Sequence, residues 1–431
     1  TRCWRTSVRS ERLDARRFAG PGPVVAELRA LVPGTGSVEE AVRDILRRVR
    51  HEGDHAVLEY TRAWDTAGAT PRPLEVAAGE LRGTFEMLGP DVREGLDAAY
   101  AAVFEVAAAV VDDEAREVHP PGGARIVLRE VPVASAAIYV PGGRAPYPST
   151  VVMGVAAARA AGVRDVRVVS PPGPDGDVHP VVRGACERCG DVRLFRMGGA
   201  QAVAACAYGT ASVPRAEVIA GPGSLYVAEA KRQVFGAAGI DSLAGPSDLM
   251  IVLGDGADLE WAGLDLLAQA EHGPATLVVA VAADRELLDG LHEQVAGAGA
   301  QATLALVDVG DLEAAAALAD AFAPEHLQLM GAGAEALAPR LAHAGCIFVG
   351  NASATAFGDY VAGSNHVLPT GGAARYASAL NPQHFRRRVA EVHVGDAAGA
   401  LARLGAPIAR AEGFEVHAQS MEARIRQTGH R

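Results

Sequence analysis

Apolar residues recur every three to four positions through Val38-Glu-Glu-Ala-Val-Arg-Asp-Ile-Leu-Arg-Arg-Val49, the period of a helix that buries one face. The habit continues from Pro23 to about Val118, so residues 1–130 are predicted to form a mainly helical N-terminal region. Beyond it the period changes. Short β-type runs at Ala137–Val140, Val166–Ser170, Val192–Phe195 and Val218–Ala220 alternate with Ala-rich stretches, of which Thr150–Ala161 and Gln201–Tyr208 read as helices. A second series follows Gly245-Pro-Ser247, with strands expected at Met250–Leu253, Thr276–Val281, Thr303–Val307, His326–Met330 and Ile347–Val349. Such alternation predicts βαβ units and parallel sheets. The expected fold is α/β, with two tandem open Rossmann-like layers, residues 131–246 and 247–380, between the helical region and an extended C-terminal tail, residues 381–431. That tail reads as irregular, charged and too small for a core of its own, which predicts that it lies across another domain or another subunit.

With 431 residues, 49% of them hydrophobic and 21% charged, the chain has material for more than one core and the make-up of a soluble α/β protein. A net charge of −12 argues against nucleic acid or an anionic membrane as partner, and Arg386–Arg388 reads as a solvated face. The apolar stretch Ala98–Val111 is broken by Glu105 and falls short of the ~20 residues that span a bilayer, so it reads as a buried helix. The Arg-studded residues 1–17 contain no apolar run of the secretory kind. Five scattered cysteines do not suggest a disulfide framework, and Cys186-Glu-Arg-Cys189 has metal or redox spacing without a second pair to complete it. These features together point to the cytoplasm.

Three glycine turns, Tyr139-Val-Pro-Gly142-Gly143, Met197-Gly198-Gly199-Ala-Gln201 and Gly221-Pro-Gly223-Ser224, stand at the carboxyl ends of predicted strands, where open α/β sheets collect ligands. Tyr139, Gln201 and Ser224 are placed to serve such a cleft. Gly331-Ala-Gly333-Ala-Glu-Ala336 reads as a plain tight turn. In the second layer, Gln269 and His272 share one face of a helical turn. With Pro324-Glu325-His326, Gly358-Asp359-Tyr360 and the Glu412 to His417 segment, the layer offers nitrogen and oxygen donors suited to zinc, manganese or a related divalent ion. Glu325 and His326 are adjacent, should splay apart on a regular element, and suit proton transfer better than joint chelation. His366 reads as a loop anchor.

In this order the motifs resemble the histidinol dehydrogenase family from about Val42 to His417. The resemblance rests on Tyr139-Val-Pro-Gly-Gly-Arg-Ala-Pro, Gly198-Gly-Ala-Gln-Ala, Gly239-Ile-Asp-Ser-Leu-Ala-Gly-Pro-Ser247, Gln269-Ala-Glu-His272-Gly-Pro, Pro324-Glu-His326, Gly358-Asp-Tyr and Asn365-His-Val-Leu-Pro-Thr-Gly-Gly. It implies an NAD-linked, zinc-dependent enzyme that oxidises L-histidinol to L-histidine through the aldehyde. Gln269, His272, Asp359 and His417 would hold one zinc ion per subunit. Those four, with Ser247, His326 and Glu412, would touch the substrate; Glu325 and His326 would be the catalytic pair, and Tyr139, Gln201 and Ser224 would contact NAD. It further implies a homodimer whose tails exchange, so that Glu412 and His417 complete the neighbouring subunit's site. The chain departs from the family pattern at Ser224, where Asn is usual, at Asp248, where Glu is usual, and at Asn351-Ala-Ser-Ala-Thr. The same residues would also serve a paralogous zinc dehydrogenase acting on another amino alcohol or polyol. A non-catalytic metal or small-molecule binding protein of the same fold would need neither Glu325 nor His326.

Overall fold

The computed structural model describes residues 9–32, 37–142, 145–243, 245–296 and 302–425. They divide into two compact units, one of residues 1–110 and 134–385 and the other of residues 111–133 and 386–431. No helix among the described residues is long and apolar enough to cross a membrane.

The larger unit contains two parallel sheets built on one strand order. In the first, Ser135–Tyr139 lies between Asp165–Ser170 and Val218–Ala220, with Val192–Arg196 beyond the former and Gly239–Ile240 beyond the latter. In the second, Asp248–Leu253 lies between Leu277–Ala282 and His326–Met330, with Thr303–Asp308 and Cys346–Val349 outside them. These five strands of each sheet therefore run third, second, first, fourth, fifth in chain order, and the order reverses beside the first of them. The strands are apolar runs because both faces are covered: every residue of Asp248–Leu253, Leu277–Ala282 and Thr303–Asp308 is buried, the pattern expected of parallel sheets. In the first layer Gly199–Tyr208 is buried along nearly its whole length, and its alanines let it sit close on the sheet.

The N-terminal segment is helical at Pro21–Ala30, Glu39–Glu52, Asp54–Trp64 and Pro90–Ala108, but Arg9–Asp14 is a strand, parallel to Thr303–Asp308 at the edge of the second sheet. Its polar sequence Arg-Ser-Glu-Arg-Leu-Asp hid it, since an edge strand leaves much of its surface to solvent. The helix over Pro90–Ala108 is not buried all round: Leu96, Ala99, Val103 and Ala107 are buried while Phe104 and Val106 are exposed.

The smaller unit corrects the reading of an irregular C-terminal segment without a core. Arg386–His393 is a strand, antiparallel to Arg125–Pro132, which also pairs with Arg116–Val118. The helices Ala398–Ala411 and Glu415–Glu422 follow and enclose Ala406, Ala409 and Ala418 with Met421 packed against them. Arg386 is not a solvated residue either; its guanidinium donates to Asp113 at 2.6 Å and to the Glu130 carbonyl at 3.1 Å.

Candidate functional site

Six of the residues singled out in the second layer meet at the amino ends of Asp248–Leu253 and His326–Met330. This is the opposite edge from the carboxyl ends where open α/β sheets usually bind ligands. The helix Leu259–Ala270, started by the Asp258 carboxylate accepting from Trp261 N–H at 3.1 Å, delivers Gln269 and His272 there. Its C-terminus carries partial negative charge, which favours a cation. Asp359 comes from the short helix Thr355–Tyr360. Gly358 precedes it because a Cβ at that position would meet the Phe348 ring at 2.5 Å.

The contacts form a chain. Gln269 Nε2 donates to Ser247 Oγ at 2.6 Å, and Ser247 Oγ donates to Glu325 Oε2. The Asp248 N–H donates to the same oxygen at 3.0 Å, and Asp248 Oδ1 in turn accepts from the Glu325 N–H at 2.7 Å. Beside it, His326 Nδ1 lies 3.8 Å from Glu325 Oε2, and His326 Nε2 lies 3.6 Å from Asp359 Oδ1. Glu325 and His326 therefore do not splay apart, because Glu325 precedes the strand His326–Met330 and escapes its alternation. The His272 ring is held through Nδ1 by the Gln269 carbonyl, 3.1 Å away.

Burial sets the proton affinities. It pushes Glu325 up to about 7, opposed by the charge of His326 and assisted by that of Asp248. His326, 3% exposed, would be lowered by burial alone, but the carboxylates of Glu325 and Asp359 outweigh it and hold the imidazole above its ordinary value. Burial opposes ionisation of Asp359, yet the His326 ring, with the charges of His366 and His272, keeps it below the usual range. This cluster can hold a cation with nitrogen and oxygen donors and move a proton beside it. The donor set fits zinc: a ring held through Nδ1 presents Nε2, the arrangement common to metal-bound imidazoles.

His366 is an anchor, with Nδ1 2.9 Å from the Asp359 carbonyl and Nε2 3.1 Å from Thr150 Oγ1, and burial lowers its proton affinity. Asp248 lies beneath the Glu325 carboxylate, where Arg29 Nη1 reaches its Oδ2 at 2.7 Å and the Arg29 guanidinium stacks over Phe322. Nothing in the spacing of Arg29 announced that role. Glu412 and His417 belong to the smaller unit, where both side chains are exposed and Phe414 tilts against the His417 ring. Glu52, His55 and Glu59 also come close enough to share an ion, but all three are exposed and Arg48 pairs with both carboxylates.

The first-layer residues stand where its strand order reverses. Tyr139 ends the first strand, and its hydroxyl accepts from the Gly199 N–H at 2.9 Å. Burial holds that phenol up at about 12, although the Gly199 bond pulls the other way. Gln201 is 1% exposed, and its Oε1 has no hydrogen-bond partner among the described residues. Gly142 and Gly198 both press on Pro171, which a Cβ would meet at 2.6 and 2.5 Å respectively. An unsatisfied buried amide beside turns that only glycine can make fits the backbone-close binding of a dinucleotide. Ser224 begins the helix Leu225–Val234 but makes no side-chain capping bond, and it is exposed. The paired cysteines Cys186 and Cys189 are free and buried, with thiols raised by desolvation, which suits packing rather than chemistry.

Near Tyr139, burial raises Asp65 from its ordinary 3.8 to about 6, and its Oδ2 has no hydrogen-bond partner among the described residues. A carboxyl raised by folding opposes the folded state increasingly as pH climbs from its unfolded to its folded value. Asp65→Asn is therefore expected to raise the melting temperature at pH ~8 and to leave it unchanged near pH ~4, as differential scanning calorimetry would read; an equal shift at both would remove the titration as cause.

A family model described as histidinol dehydrogenase matches residues 33–425. The chain is 40% identical to the histidinol dehydrogenase of Parasynechococcus marenigrum over 418 residues, 93% of this chain and 95% of that protein. It is 41% identical to that of Synechococcus sp. over 402 residues, 90% and 92% of the two chains. The crystal structure of histidinol dehydrogenase from Elizabethkingia anophelis superposes with a TM-score of 0.89 at 25% identity, covering 98% of this chain and 99% of that one. An α/β chain with this site that matches along nearly its whole length belongs to the histidinol dehydrogenase family, oxidoreductases of histidine biosynthesis.

Proposed function

We propose that the protein is an NAD-linked, zinc-dependent cytoplasmic enzyme that oxidises L-histidinol to L-histidine in two stages. One observation carries this reading: a buried carboxylate and imidazole, Glu325 and His326, adjoin the nitrogen and oxygen donors Gln269, His272 and Asp359. When bound, NAD at Tyr139, Gln201 and Ser224 supplies the hydride acceptor, and zinc held by Gln269, His272, Asp359 and His417 supplies a fixed anchor for the substrate's nitrogen donors.

In the first stage His326 takes the hydroxyl proton as the carbon loses hydride, leaving the aldehyde. In the second, once His326 has released that proton to solvent, Glu325 and His326 together draw one proton from water as its oxygen bonds to the aldehyde carbon; the hydrate then passes its hydride to a second NAD and its remaining hydroxyl proton to solvent, leaving the carboxylate. Ser247 and the Asp248 N–H fix the Glu325 carboxylate through its Oε2. Ser247, His326 and Glu412 are also assigned to the substrate. The exposure of Glu412 and His417 supports a homodimer in which each is offered to the neighbouring subunit.

The basic form of Glu325 gains population as pH rises through about 7. The rate is expected to climb between pH ~6 and ~8, and Glu325→Gln should flatten the limb centred near 7; a limb unchanged in that variant would deny Glu325 the role.

The deciding experiment is NADH formed per L-histidinol consumed, with and without chelator. Two NADH per alcohol, lost on chelation and restored by zinc, is the expected result. Failure to oxidise L-histidinol alongside turnover of another alcohol would point to the paralogous dehydrogenase, and binding without turnover to the non-catalytic reading.

A further inference from the structure

Of the 40 basic residues in the chain, 39 are arginine; Lys231 is the only lysine. It is also buried, 1% exposed, on the helix Leu225–Val234. Helical side chains lean toward the N-terminus, and Lys231 reaches back to the turn that opens its own helix, where Nζ donates to the Gly221 carbonyl at 2.9 Å. The same ammonium pairs with Asp241, whose other carboxylate oxygen accepts from the Gly221 N–H at 2.8 Å. One buried ion pair thus holds both polar groups of Gly221. That residue follows the strand Val218–Ala220, has φ +120°, and lies so close to the Tyr139 carbonyl that a Cβ would collide with it.

We propose that Lys231 and Asp241 are positioning residues for the dinucleotide: by fixing Gly221 they set where Ser224 and the start of the helix stand relative to Tyr139. The proposal rests on the reading of this turn as part of the NAD site. Two physical arguments support it. A buried ion pair is a poor device for stability, because apolar side chains of like volume commonly serve as well once desolvation is counted. The ion pair here instead makes two directional contacts to one peptide unit beside the expected ligand. The choice of cation points the same way. An ammonium is a compact point charge, whereas a guanidinium is a wide planar fork, and a chain that uses arginine at every other basic position, the buried Arg167 and Arg196 included, has lysine at this one.

The test uses the zinc-loaded full chain and calorimetric titration with NAD alone and with L-histidinol alone, alongside thermal melts. In the Lys231→Met/Asp241→Leu double variant, which keeps an apolar pair in the space, the Kd for NAD is expected to rise at least about tenfold while that for L-histidinol stays within about twofold. Lys231→Arg, which keeps the charge, is expected to weaken NAD in the same way. Should the double variant not fold, Asp241→Asn, close in shape, is judged by the same criterion. A folded variant that binds NAD as the wild type does overturns the proposal, as does a parallel loss of L-histidinol, which would mark a general structural role. Wild-type protein that binds L-histidinol but not NAD would instead remove the cofactor reading, and the proposal with it.

Discussion

Replacing His326 by alanine is expected to lower the rate of L-histidinol oxidation by about 10²- to 10⁴-fold, the range that a positioned acid–base group commonly contributes, with zinc content unchanged. The ring is almost wholly buried, stacked at 6.0 Å on Phe348 and set between Glu325 and Asp359. No other imidazole in the larger unit shares that placement: His366 is committed to Thr150 and the Asp359 backbone, and His272 to Gln269. Single-turnover NADH formation, with zinc measured by atomic absorption, reads the outcome. A variant within about tenfold of wild type would take the proton acceptor's role away from His326; loss of zinc with activity would make it a ligand instead.

The second large effect is expected at Asp359. Changing the outer hydrogen-bond partner of a metal ligand typically costs 10- to 100-fold in affinity, so Asp359→Ala, which removes a donor outright, should weaken zinc by about 100-fold or more and abolish turnover at trace zinc. The variant has a second signature. Asp359 is one of the three carboxylates, with Glu325 and Asp248, that hold the His326 imidazole above its ordinary value, so its removal should lower the proton affinity of that ring, observable by NMR in metal-free protein. Undiminished zinc affinity would exclude Asp359 from the ligand set.

The alternating layers were legible because parallel strands covered on both faces are written as unbroken apolar runs. Leu277–Ala282 is of that kind, and the structure finds it within a residue of where periodicity put it. What escaped were the strands that keep a wet face. Arg9–Asp14 and Arg386–His393 are charged along their length, and no period separates such a strand from a loop. The chemistry of the site was legible as residue types, since a carboxylate next to an imidazole and an amide three residues from another imidazole are unusual company. Its supporting contacts were not. Arg29 and Asp248 lie 219 positions apart, and only folding brings them under Glu325. The one available clue to the Gly221 clamp was compositional, a solitary lysine among arginines.

That solitary lysine also makes the chain an unusual reporter of its own motion. Its only side-chain amine is sealed against the Gly221 turn, so reagents that acylate amines have, besides the α-amino group, this one residue to modify. Lys231 becomes reactive only when the helix start opens, and the mass added over time to the peptide that carries it counts those openings. The label needs no engineered residue, and slower labelling in the presence of NAD would measure how firmly the cofactor closes the turn.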